Sequence, residues 1–186
     1  MKALESERGL FLKSFMLNPM KIGSITPSSS YLTRDLLASL PWDTMHTIVE
    51  LGAGTGVFTK YIIKHKQQDS AFLIIEQDTQ MRSALMRQFL NELFGSQAEN
   101  LPYLMQQYNL PKADCIISGL PFAIFEKKDR LKILTGIQTT LSNDGVFAAF
   151  QYSPQMYRTF QHLFHVVRIG FTPLNLPPAF TYLCYK

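Results

Sequence analysis

A β-branched run from His46 to Leu51 breaks into Gly52-Ala53-Gly54-Thr55-Gly56 and passes at once into a helical pattern, GVFTKYIIKH. Glycines at alternate positions let the backbone turn tightly and approach a ligand at the carboxyl end of a strand. Taken alone, such a loop is a tight strand–helix turn. Its spacing is G-x-G-x-G, not the G-x-G-x-x-G of dinucleotide sites. The next apolar run, AFLIIE, places Glu76 at its own carboxyl end. A carboxylate there is able to accept both hydroxyls of a ribose. The glycine loop and the strand-end acid together are far more specific than either one.

The rest of the chain alternates in the same way. Residues 80–94, QMRSALMRQFLNELF, read as an amphipathic helix ending at Gly95, and YLMQQ (103–107) as a weak strand. ADCIIS (113–118) reads as a buried strand, and 126–141 as a helix closed by the turn Ser142-Asn143-Asp144-Gly145. Strand 145–152, helix 153–164 and strands 165–171 and 180–186 follow. Strand–helix alternation predicts an α/β fold with a mostly parallel sheet and helices on both faces. The final two strands lack a helix between them, so the last one should run antiparallel.

Ahead of this region, residues 5–17 form a short basic amphipathic helix, with Leu10, Phe11 and Phe15 on its apolar face and Arg8, Lys13 and Lys21 around it. Asn18-Pro19 stops it. The loop GSITPSSS (23–30) and a helix over 31–40, ended by Pro41, lead to the first strand. The chain thus divides into an N-terminal segment, 1–45, and a catalytic domain, 46–186.

Composition narrows the class. At 46% hydrophobic residues the 186-residue chain is neither disordered nor linker-like, and two cysteines exclude a disulfide framework. Cys115 and Cys184 sit in apolar runs and read as reduced, buried thiols of a cytoplasmic protein. No stretch is apolar enough to span a bilayer, and the start lacks the features of a signal peptide. A net charge of +4 favours phosphate-bearing partners, nucleic acid or an anionic membrane surface. No metal is implied.

The E-L-G-A-G-T-G run after a strand, with Glu76 closing the next, resembles the class I S-adenosylmethionine-dependent methyltransferases. That resemblance implies a Rossmann-like sheet and S-adenosylmethionine as cofactor, held by Glu50, Gly52, Gly54 and Gly56, with Glu76 on the ribose and Gln77 near the adenine. Members often carry an acid after strand three; the stretch matched to it here is Gln106-Gln107-Tyr108-Asn109, which has none. Strand four ends Ser118-Gly119-Leu120-Pro121-Phe122. Adenine-amine methyltransferases carry Asn-Leu-Pro-Tyr/Phe at this place, and Gly119 removes their side-chain acceptor.

Almost end to end, the chain resembles bacterial single-domain phospholipid N-methyltransferases. The likeness rests on Phe15 to Pro19 with Ile22 to Ser28, on Ser118 to Pro121, on Gln151-Tyr152-Ser153-Pro154, and on Asn175 to Ala179. It implies methyl transfer to the amine of a phospholipid head group such as phosphatidylethanolamine, by a protein lying peripherally on the inner membrane surface. Ser24 and Thr26 would fold over the cofactor, with Ser118 also near it. Ser118, the Leu120 carbonyl and Tyr152 would serve the chemistry. Gly119, Pro121 and Phe122 would hold the substrate, with Phe125 as a further ring. Arg168 would meet the lipid phosphate, with Arg158 as the second choice. Ribosomal RNA adenine methylation is the alternative, against which stands the lack of an appended helical module after the last strand. A non-catalytic scaffold would need none of these motifs.

Overall fold

The computed structural model describes residues 28–186. The helix expected over 5–17, and Ser24 and Thr26, lie outside them.

Seven strands form one sheet: β1 (Thr47–Leu51), β2 (Ala71–Ile75), β3 (Leu93–Gly95), β4 (Ala113–Ser118), β5 (Leu141–Gln151), β6 (Val166–Thr172) and β7 (Ala179–Tyr185). Their order is β3-β2-β1-β4-β5-β7-β6. The pairs β3–β2, β2–β1, β1–β4 and β4–β5 are parallel, whereas β7 runs antiparallel to both β5 and β6. The expected fold class holds, down to the antiparallel last strand.

Helices α1 (Ser28–Leu37), α2 (Val57–His65), α3 (Thr79–Gln88), α4 (Leu101–Gln107), α5 (Lys127–Thr140) and α6 (Tyr157–Leu163) cover the sheet. Strands β1 and β4 are buried on both faces, which is why they read as continuous apolar runs. On one face Val49, Leu73, Ile116 and Phe147 pack with Leu101 of α4, Ile133 and Ile137 of α5 and Phe160 of α6. On the other, Ile48, Ile74, Ile117 and Ala148 pack with Leu32 and Leu36 of α1, Phe58 and Ile62 of α2 and Leu85 of α3.

Local readings need four corrections. α1 begins within the serines at Ser28 and ends at Leu37, three residues ahead of the expected span. α3 stops at Gln88, and Leu93-Phe94-Gly95 pair with Leu73-Ile74-Ile75 as β3. The open edge of β2 requires hydrogen-bond partners, and this need overrides the helical periodicity of residues 89–94. YLMQQ is not a strand but most of α4, with Pro102 in the first turn and Leu101 and Met105, four apart, on the buried side. Ser142–Gly145 lie within β5 as an irregularity, since Ala113 pairs with Leu141 but Cys115 with Val146.

Candidate active site

The carboxyl ends of β1, β2 and β4 are stitched together by backbone hydrogen bonds. Gly52 N–H donates to the Ile75 carbonyl at 2.8 Å, and Gly119 N–H to the Leu51 carbonyl at 2.9 Å. Gly52, Gly54 and Gly56 have φ of +74°, +56° and +81°, a region that side chains with a Cβ rarely enter. The position a Cβ would take at Gly54 has no atom of the described residues within 4 Å, so the loop presents bare backbone there.

Two carboxylates flank this loop. Glu76 is buried; one oxygen accepts the Gly54 N–H at 2.6 Å and the other the Asp78 N–H at 2.8 Å. A carboxylate has roughly four acceptor sites, so each oxygen keeps capacity for a further donor. Glu50, 1% exposed, accepts from the Thr59 hydroxyl at 2.6 Å through Oε2, while Oε1 has no partner among the described residues. Burial, with a smaller push from Glu76, raises its pKa from 4.5 to about 8. An orphaned buried carboxylate oxygen, a second acid with spare acceptor sites and an open glycine backbone make a cradle for a ligand carrying positive charge and vicinal hydroxyls. S-adenosylmethionine, with its ammonium, sulfonium and ribose, fits that donor and acceptor set.

Beyond β2 the backbone is fixed by Arg82, whose Nη1 donates to the carbonyls of Glu76 at 2.7 Å and Gln77 at 3.1 Å. Gln77 is exposed beside it. Nothing in the sequence singles out Arg82, which reads as one charge on a helix surface. Placing β3 at 93–95 moves the segment after strand three from 106–109 to Ser96-Gln97-Ala98-Glu99-Asn100. Ser96 and Gln97 are exposed there, and Gln97 Oε1 accepts from Asn100 Nδ2 at 3.0 Å.

The loop after β4 differs from expectation in its details. A Cβ at Gly119 would stand 2.8 Å from the Gly52 carbonyl oxygen. Glycine is needed here because two backbones meet. Ser118 is fully buried, and its hydroxyl accepts the Leu120 N–H at 3.1 Å, which shapes the turn. The Leu120 carbonyl accepts both the Phe122 N–H at 3.0 Å and Gln151 Nε2 at 2.9 Å. Both its lone pairs are therefore engaged, and the role of amine acceptor expected of it is filled from inside the protein. Phe122 has no exposed surface and meets Phe125, Phe147 and Phe160 edge to face, so it is core and not a substrate platform. Gly119, Leu120 and Pro121 remain partly exposed.

Gln151, 1% exposed at the end of β5, clamps this loop: beyond its Nε2 bond to Leu120, its Oε1 accepts the Ala123 N–H at 3.4 Å. Its position beside Tyr152 in a motif was visible in the sequence; its role was not. Tyr152 is half-buried, stands edge-on to Phe150 and hydrogen-bonds Asn175. Burial lifts its pKa to about 12, so the phenol stays protonated at neutral pH. Asn175 Nδ2 in turn donates to the Pro177 carbonyl at 2.7 Å, tying the 175–179 motif to the end of β5.

Arg168 is not brought to the site. It lies mid-strand on the outer strand β6, opposite Leu183, with its guanidinium 5.3 Å from the centre of the Tyr185 ring, at the end of β7 remote from the glycine loop. Arg158 is exposed on α6.

Comparison with known proteins agrees with this geometry. No protein-family model matches the chain. Over 180 residues, 94% of each chain, it is 32% identical to an ornithine lipid N-methyltransferase of Singulisphaera acidiphila. Its fold is similar to the 1,6-didemethyltoxoflavin-N1-methyltransferase of Burkholderia thailandensis, solved with S-adenosylhomocysteine, at a TM-score of 0.69 and 12% identity, over 96% of this chain and 86% of that one. It is also similar to the N-methyltransferase NodS of Bradyrhizobium japonicum, at 0.65 and 10% identity, over 87% and 99%. The topology, the two-carboxylate cradle and the full-length relative converge: the chain belongs to the class I S-adenosylmethionine-dependent N-methyltransferases.

Proposed function

We propose that the protein methylates the primary amine of a membrane lipid. The lipid N-methyltransferase related along 94% of the chain supports this most directly. The Gly119–Gly52 contact agrees with it, because no side-chain acceptor of the adenine-methylating kind fits at residue 119 without displacing the cofactor loop. Phosphatidylethanolamine and ornithine lipid present the same chemistry, an ammonium on a lipid head group, and the enzyme takes the ethanolamine head group in our reading.

The bound cofactor supplies an electrophilic methyl on sulfur. The amine must lose a proton, after which its lone pair forms the N–C bond as the C–S bond breaks and S-adenosylhomocysteine leaves. The protein's part is to position and desolvate. Glu50 would hold the cofactor's positive end and Glu76 its ribose. Gln97, now placed after strand three, would stand near the adenine. Gln151, through Leu120, fixes the loop that borders the transferring methyl, and the neutral Tyr152 hydroxyl offers the amine a hydrogen-bond partner at the same edge. Among the described residues no helix is long and apolar enough to cross a membrane. In our reading the lipid is met at a bilayer surface, with the basic segment of residues 5–17 contributing.

Incubation with labelled S-adenosylmethionine and separate pools of phosphatidylethanolamine, ornithine lipid and ribosomal RNA tests this reading. Label is expected in phosphatidylethanolamine. Label in ornithine lipid alone would correct the head group, and label confined to RNA would overturn the proposal.

A further inference from the structure

The backbone that carries Glu76 out of β2 is held on both sides. Glu76 N–H donates to the Gly95 carbonyl of β3 at 3.1 Å, and the Glu76 carbonyl accepts Arg82 Nη1 at 2.7 Å. The same nitrogen donates to the next carbonyl, that of Gln77, at 3.1 Å. Arg82 reaches back because Asp78 starts α3 here. The Asp78 carboxylate caps the Met81 N–H at 2.8 Å, and the Arg82 N–H donates to the Asp78 carbonyl at 2.9 Å.

One peptide unit, Gln77–Asp78, joins Arg82 to the carboxylate. A trans peptide group is planar, with its C=O and N–H fixed in opposite directions. The C=O end, on Gln77, is held by the guanidinium, and the N–H end, on Asp78, donates to Glu76 Oε1 at 2.8 Å. Rotation of this plane would withdraw the N–H from Glu76. A cation on the carbonyl also polarises the unit and strengthens its N–H as a donor. Arg82 thus acts on one Glu76 oxygen through a rigid plate, while Gly54 N–H fixes the other at 2.6 Å.

An arginine next to a buried carboxylate ordinarily pairs with it through two parallel hydrogen bonds. Here the ion pair among the described residues is that of Lys66 with Glu92, and Arg82 directs its donors to carbonyls. The remaining acceptor sites of Glu76 stay clear of a competing cation and open to a ligand's hydroxyls.

We propose that Arg82 is a positioning residue for the cofactor's ribose: it sets the direction of the Glu76 carboxylate through the Gln77–Asp78 peptide and does not itself touch the cofactor. The proposal rests on the reading of Glu76 as the ribose acceptor and is independent of which lipid is methylated.

Calorimetry on the full chain tests it, with S-adenosylhomocysteine and the analogue that lacks both ribose hydroxyls. The wild type should prefer the natural ligand. Arg82→Met keeps an apolar stem and removes every donor; its affinity for S-adenosylhomocysteine should fall about ten-fold, while its affinity for the analogue stays within about two-fold of wild type. Arg82→Lys, which returns a donor, should recover part of the loss. In a Glu76→Ala background Arg82→Met should cost nothing further, because the group it positions is gone. Equal losses for both ligands would make Arg82 a general support of the fold and overturn the proposal. Wild-type affinity in Arg82→Met, or a full further loss in the Glu76→Ala background, would also overturn it. Should Arg82→Met fail to fold, the same ratio is read from Arg82→Lys, where a wild-type preference between the two ligands would overturn the proposal. A wild type that binds both ligands alike would refute Glu76 as the ribose acceptor and the proposal with it, whereas failure to methylate a lipid amine would refute the proposed substrate alone.

Discussion

A carboxyl group buried with one oxygen unpartnered among the described residues should set the pH behaviour of the candidate site. Glu50 keeps its proton in the folded, cofactor-free protein up to about pH 8, whereas in the unfolded chain it ionises near 4.5. The folded state therefore binds the extra proton between these values, and the stability this confers is complete below pH 4.5 and lost as pH rises through 8. A cationic ligand needs the ionised form. S-adenosylmethionine should bind more tightly with each step in pH up to about 8 and then level off, with proton release on binding near neutrality. Calorimetry in buffers of different ionisation enthalpy reads this directly, and Glu50→Gln should flatten the profile. Glu76→Ala should weaken cofactor binding by about 1–3 kcal/mol and also lower the melting temperature, since Gly54 and Asp78 lose their acceptors. Gly119→Ala pushes a methyl to 2.8 Å from the Gly52 carbonyl. Its cost should appear as lost cofactor affinity, ten-fold or more in Kd, because the atom that must yield belongs to the cofactor loop.

Elements, not single side chains, decide the geometry of the β4 loop. Gln151 reaches it from the end of β5, and a near-isosteric Gln151→Leu leaves the Leu120 carbonyl and Ala123 N–H each short of a partner. We expect a loss of about 1–3 kcal/mol in stability, with a fall in kcat exceeding any change in cofactor Kd; equal kcat in steady-state assays would remove Gln151 from this role. The parts of the site legible in the sequence were those made of backbone and strand ends. Glycines at 52, 54 and 56 and an acid at 76 report a local geometry that only a few residue types permit. The parts that were not legible depend on distant partners. The periodicity of residues 89–94 is helical, yet β2 claims 93–95 for its edge, and that one shift displaced the segment after strand three. Phe122 reads as a stacking ring until Phe147 and Phe160, from β5 and α6, are seen around it. Arg168 follows an apolar strand pattern that gives no sign of which end of β6 its side chain serves.

At the scale of the molecule, the glycine loop and its hydrogen bonds tie β1, β2 and β4 into one edge, so a ligand bound there should stabilise the whole sheet by mass action. Saturating S-adenosylhomocysteine is expected to raise the melting temperature of the wild type more than that of Glu76→Ala. A single shared transition for sheet and helices, followed by near- and far-ultraviolet dichroism, would accompany it.

The position of β7 has a consequence for how the chain is made. β6 is synthesised first, yet its only strand neighbour among the described residues is β7, which also supplies the antiparallel partner of β5. Until residues 179–185 have left the ribosome, β5 keeps a bare edge and β6 has nothing to pair with. Such an edge, apolar and long, invites association with other chains. Nascent chains arrested before residue 179 should therefore be retained by chaperones and cut readily by protease, and release of the seven residues of β7 should abolish both within one step, as β7 fills the gap between β5 and β6.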